Sequence, residues 1–206
     1  MQLMMRRILT CLCCLLFVFG LAAQQKRIRI VEEDITNRIA LYAVNENEQD
    51  LDVKITITGT DFRQSRAKPR FVRVPAASKV HLKTIVLIRG KEPKYSYKLE
   101  VNDSLSSRSL KREYEPIKIK PSKPIVLYLP SNCQNCDSLM EDMNNSKYLY
   151  TSYNLAEIPK IKDQLQTAFG VDMPIDSLST PIINIGGKLY TRIENYEQIL
   201  EALNKE

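Results

Sequence analysis

Ile125-Val126-Leu127-Tyr128-Leu129-Pro130-Ser131-Asn132-Cys133-Gln134-Asn135-Cys136 decides how this chain is read. Five apolar residues in a row suit a strand buried on both faces. Pro130-Ser131-Asn132 then turns the chain into two cysteines three positions apart. After them Leu139, Met140 and Met143 recur at helical spacing, so the segment reads as strand, turn with dithiol, helix. A loop closed across two intervening residues constrains the unfolded chain very little, so a pair at this spacing points to thiol chemistry ahead of stapling.

Working outward toward the C-terminus, residues 148–154 suit a second strand. Pro159 is well placed as the first residue of a helix whose stripe is Ile161, Leu165, Ala168 and Phe169, and which stops at Gly170. Residues 182–185, Gly186-Gly187 and residues 188–190 form a β-hairpin with a two-residue turn of the kind that needs positive φ. Asn195 caps a last helix whose third residue is Gln198, a capping-box pattern, with Ile199, Leu200 and Leu203 turned inward. The order is β-α-β-α-β-β-α.

Working toward the N-terminus, the other three of the five cysteines, Cys11, Cys13 and Cys14, sit in an apolar run. Arg6 and Arg7 precede it, residues 8–23 carry no charge, and Gln24-Gln25-Lys26 restart polar sequence. This is the layout of a secretory signal peptide over residues 1–23, cleaved after Ala23. Sixteen uncharged residues fall short of the roughly 20 that span a bilayer. The expected location is therefore the periplasm or the exterior, which makes nucleic acid an unexpected partner. Export would leave Cys133 and Cys136 as the mature protein's one dithiol.

Charge divides the rest. Residues 24–122 hold 21 Lys+Arg against 13 Asp+Glu, a net of +8, while residues 123–206 hold 7 against 11, a net of −4. Between them lies Ile117-Lys-Ile-Lys-Pro-Ser-Lys-Pro124, a short proline-bearing linker. Two domains are expected, residues 24–120 and 121–206. In the first, apolar residues alternate at period two: Ile28/Ile30, Ile39/Leu41/Ala43, Val53/Ile55/Ile57, Val72/Val74, Val80/Leu82/Thr84/Val86, Tyr97/Leu99/Val101 and Ile117/Ile119. Six or seven short strands of this kind indicate an all-β, immunoglobulin-like sandwich. The segment from Arg63 to Arg73 carries the densest positive charge. It reads as a solvated loop entering a charged edge strand, or as a contact for acidic partners or an anionic envelope surface.

The second half resembles the thioredoxin-like fold, with a layout similar to glutaredoxin: a CxxC at the first strand-to-helix junction, and Thr180-Pro181 ahead of the third strand. The resemblance covers roughly residues 123–206. It implies a thiol-disulfide oxidoreductase in which Cys133, at the helix N-terminus, attacks and Cys136, one turn inside, resolves. A helix N-terminus lowers a thiol pKa from about 8.5 toward neutrality. It also implies a cis Pro181 beside the dithiol, with the Thr180 backbone pairing the substrate chain. Leu127 stands where thioredoxins carry a buried acid. Thr191-Arg-Ile-Glu194 replaces the glutathione-binding Gly-Gly-acid pattern, so protein substrates and a protein redox partner are expected, with neither glutathione nor another cofactor.

Other readings have less behind them. Two cysteines and His81 cannot make a four-ligand zinc site, and no metal is expected. His81 suits an exposed or hydrogen-bonded sheet residue, and Met140 and Met143 suit a buried helix stripe better than copper ligands. The rival from another class is a non-catalytic envelope binding or adaptor protein in which the sandwich binds a partner and the CxxC is idle.

Overall fold

A computed structural model describes residues 28–170 and 173–205. The expected signal peptide, its cleavage point after Ala23, and Cys11, Cys13 and Cys14 lie outside these residues. The fold is β-rich, with three sheets. Among the described residues no helix is long and apolar enough to cross a membrane.

The basic half contributes β1 (Ile28–Ile35), β2 (Arg38–Asn45), β3 (Leu51–Thr60), β4 (Phe62–Arg63), β5 (Val72–Val74), β6 (Ser78–Leu87), β7 (Lys94–Asn102) and β8 (Tyr114–Pro116). One antiparallel sheet runs β1-β2-β6-β4, with β8 also on β6; the other runs β5-β3-β7. Inward residues of both sheets share one core: Leu41 and Ala43 of β2, Leu51, Val53, Ile55 and Ile57 of β3, Val72 and Val74, and Val80, Leu82 and Ile85 of β6. Each fully buried Val, Leu or Ile contributes about 1.5–3 kcal/mol, so this shared face holds the sheets together.

Two departures from the alternation have local causes. Leu41 pairs with Lys83 but Tyr42 pairs with His81, so Leu82 is an extra residue on β6, a β-bulge. The bulge reverses the faces beyond it: Ile85 is 0% exposed and Val86 38% exposed, where continued alternation from Leu82 had placed Val86 inside. The last pairing segment is Tyr114–Pro116, ahead of the expected Ile117/Ile119. Ile119 instead bridges Tyr148 and packs in the core of the second half, together with Ala77.

The core also encloses charge. Asp52 is fully buried, its Oδ1 2.5 Å from Arg73 Nε, while Oδ2 accepts from Ser106 N at 2.7 Å. Burial alone would raise this carboxyl's pKa, but Arg73 and the Ser106 amide outweigh it and hold the group below its ordinary range. At Gly59 (φ 154°), a Cβ would lie 2.1 Å from Lys94 O, so β3 and β7 approach too closely there for any side chain.

The acidic half contributes β9 (Ile125–Leu129), α1 (Cys136–Asn145), β10 (Thr151–Asn154), α2 (Pro159–Phe169), β11 (Ile182–Ile185), β12 (Lys188–Tyr190) and α3 (Tyr196–Asn204). The order of strands and helices is the one read from the periodicity. The sheet order is β10-β9-β11-β12, with β10 parallel to β9 and β11 antiparallel to both β9 and β12. One face packs on α1 and α3 through Leu127, Leu139, Met143, Ile183, Ile199 and Leu203. The other packs on α2 and a 3-10 turn at Ile175–Ser177 through Leu155, Leu165, Ile175 and Ile182. Ala168, expected in the α2 stripe, is exposed. Ile185 pairs with Lys188 across Gly186 (φ 60°) and Gly187 (φ 94°), the two-residue turn expected. Asn195 Oδ1 accepts from Gln198 N, while Gln198 Oε1 reaches back to Glu194 N, one residue before the cap.

Candidate active site around the Cys133–Cys136 disulfide

β9 ends at Leu129 in the middle of its sheet, so whatever follows is held against neighbours on both sides. Pro130 O accepts from Cys133 N at 3.2 Å and closes a turn. Three further bonds anchor this turn to distant segments. Asn132 Nδ2 donates to Asp176 O (2.9 Å), Gln134 N to Ser179 O (2.9 Å), and Asn135 Nδ2 to Glu194 O (2.7 Å).

The two cysteines are joined in a disulfide. Their environments differ. Cys136 is the first residue of α1 and only 7% exposed, whereas Cys133 lies in the turn before the helix and is half-buried. This corrects the expected placement: Asn135 occupies the N-cap position, and Cys133 stands two residues outside it. The helix-terminal effect therefore reaches Cys133 from outside the first turn, where it weakens.

Asn135 makes no capping bond to the helix. With Nδ2 committed to Glu194 O, its Oδ1 faces Cys133 Sγ at 3.7 Å. A disulfide sulfur has no proton to donate, so this is a contact in the oxidised form. In the reduced form the same oxygen would accept from a thiol and disfavour a thiolate. The first-turn N–H groups, unused by the cap side chain, act in the opposite direction.

Thr180 and Pro181 are brought beside the turn by the Gln134–Ser179 bond, but not in the expected conformation. The Thr180–Pro181 peptide is trans, because among the described residues there are no cis bonds. Pro181 is buried, and Thr180 Oγ1 donates to Thr191 O at 2.7 Å. The sequence reading missed the anchoring roles of Asn132, Gln134 and Asn135. For Asn132 and Asn135 the signal is an amide side chain beside each cysteine, suited to clipping backbone carbonyls, whereas Gln134 anchors through its backbone N–H and carries no such signal.

His81 lies on β6, away from the dithiol. Its Nε2 is 2.8 Å from Thr84 Oγ1, and Arg112 Nη1 donates to its carbonyl at 2.8 Å. Burial first, then the Arg112 charge, lowers its pKa below 6.5. No group of three or more potential metal ligands occurs among the described residues. Comparisons with family models, with curated proteins and with solved structures each returned no match.

Proposed function

We propose that the chain is an exported thiol-disulfide oxidoreductase that exchanges disulfides with envelope or periplasmic proteins through Cys133 and Cys136. In this reading an immunoglobulin-like sandwich precedes a thioredoxin-like α/β unit. The observation that carries the proposal is the asymmetry of the pair: a half-buried sulfur in a turn at the end of a central strand, and a buried one opening the helix. The sheet order, with one parallel and two antiparallel neighbour pairs, supports the same assignment.

In the reducing direction, the Cys133 thiolate attacks a client disulfide and one client sulfur leaves as thiolate. Cys136 then attacks Cys133 Sγ, closing the Cys133–Cys136 bond and releasing the second client sulfur, so two electrons pass to the client. The oxidising direction reverses both steps. Substrate pairing at a cis-proline is not part of this mechanism, given the trans bond at Pro181.

That trans bond favours a second reading, a non-catalytic envelope adaptor with an idle dithiol. A disulfide-exchange assay on an insulin-type substrate separates the two. Activity lost in Cys133→Ser, with mixed disulfides trapped on Cys133 in Cys136→Ser, supports the oxidoreductase. Wild-type rates equal to those of Cys133→Ser support the adaptor.

A further inference from the structure

The gap along β6 leads to a second site. On one edge β6 pairs with β2 from Ser78 to Val86, interrupted only by the bulge at Leu82. On the other, β8 covers only Ser78–Val80 and β4 only Val86 and Leu87, leaving residues 81–85 without a neighbouring strand. Arg112 partly fills this opening, its Nη1 donating to His81 O and Leu82 O at 2.8 and 3.0 Å.

Behind the opening lies a cleft of about 320 Å³ between the two sheets, overhung by the loop carrying Ala67 to Arg70. Its floor is core: Val53, Ile55, Val72 and Leu82, each at most 5% exposed. Its rim holds four cations, Lys68, Arg70, Lys83 and Arg112, and no acidic residue lines it. Among the described residues none of the four is paired with a carboxylate, although seven ion pairs occur elsewhere among them. The basic segment singled out in the sequence is thus split in function. Arg73 neutralises the buried Asp52, and Lys68 and Arg70 face the cleft.

An apolar floor beneath an uncompensated cationic rim has one complementary ligand chemistry: a small anion with an apolar body. We propose that this cleft binds a monomeric acyl carboxylate, its chain against the accessible apolar lining at Ala67, Pro69 and Leu110 above the core floor and its carboxylate among Lys68, Lys83 and Arg112. The volume lies at the lower end of the roughly 300–1,000 Å³ of small-molecule sites, which matches one short chain and excludes a multi-chain lipid. The carboxylate supplies the charge the rim lacks, and the chain displaces water from the apolar lining around Pro69 and Leu110.

Calorimetric titration of the full chain with octanoate, with octanol as the uncharged counterpart, tests the site. Amide NMR shifts provide its location. Saturable octanoate binding is expected, at least tenfold tighter than octanol, with shifts centred on Val53, Ile55 and Leu82. Lys68→Glu/Lys83→Glu should weaken it at least tenfold, and Thr84→Trp, which fills the mouth, should abolish it. If the double variant does not fold, Lys68→Glu alone, on the exposed loop, should still weaken binding several-fold. Octanol binding as tightly as octanoate, unchanged binding in a folded charge-reversal variant, or shifts outside the cleft would each overturn the proposal. So would octanoate failing to bind while phosphatidylglycerol vesicles or a polyglutamate peptide do, since the charge would then serve a membrane or protein surface.

Discussion

The Asp52–Arg73 pair and the Cys133–Cys136 turn are both polar centres held by backbone groups from remote segments, and they differ in one respect. Asp52 is sealed, with both oxygens bonded and no exposure. The dithiol turn is sealed on one side only, with Cys136 inside and Cys133 partly open. Complete satisfaction yields a group whose value is stability. Partial enclosure leaves one sulfur accessible in a turn anchored to three distant segments.

Each expected outcome bears on that contrast. The largest concerns the open centre: Cys133→Ser should reduce disulfide exchange at least about a hundredfold while leaving the melting temperature of the reduced protein nearly unchanged. In the reduced wild type, Cys133 should alkylate much faster than Cys136, which is checked by mass spectrometry of partially labelled protein. The sealed centre should do the opposite. Asp52→Ala leaves Arg73 partly buried and unpaired, and should cost about 3–5 kcal/mol in chemical denaturation with exchange per folded molecule unchanged. The depressed Asp52 pKa means that its contribution is fully present above about pH 3.8 and is lost as pH falls through the lower folded value.

A smaller loss is expected for Gly59→Ala, about 1–3 kcal/mol, because its Cβ would meet the β7 backbone at Lys94 and Tyr95 as well as the Phe62 ring. His81 gives a pH signature. Its folded pKa lies below 6.5, so the unfolded chain binds the extra proton first, and stability falls as pH drops from about 6.5 through the folded value. His81→Gln should flatten that part of the stability profile. The smallest effect is at Asn135: Asn135→Ala removes the oxygen facing Cys133 and should raise its alkylation rate at pH 7 a few-fold, with about 1 kcal/mol lost through the Glu194 bond.

Much of this was legible in the sequence because it is written in local periods. The run from Ile125 to Leu129, Pro159 as a helix start, Gly186-Gly187 and the Asn195 cap each depend on neighbours a few residues away, and each appears where the pattern placed it. What escaped depends on distant partners. The bulge at Leu82 exists only relative to β2, so no alternation within β6 could announce that Ile85 faces inward. Ile119 left the first half because Tyr148 offers it a bridge. The start of α1 at Cys136 follows from anchors at Asp176, Ser179 and Glu194, which hold the preceding residues outside the helix. The gap between β8 and β4, and with it the basic cleft, required knowing which strands β6 lacks.

The three anchors of the cysteine turn carry one more consequence. None of them involves sulfur, so none depends directly on the Cys133–Cys136 bond. If the pair exchanges disulfides as proposed, the chain around it can keep one shape in both forms, and little rearrangement would accompany each gain or loss of two electrons. Clients would then be distinguished by how they fit a fixed surface, and the oxidised and reduced proteins should look nearly alike to anything that binds away from the sulfurs.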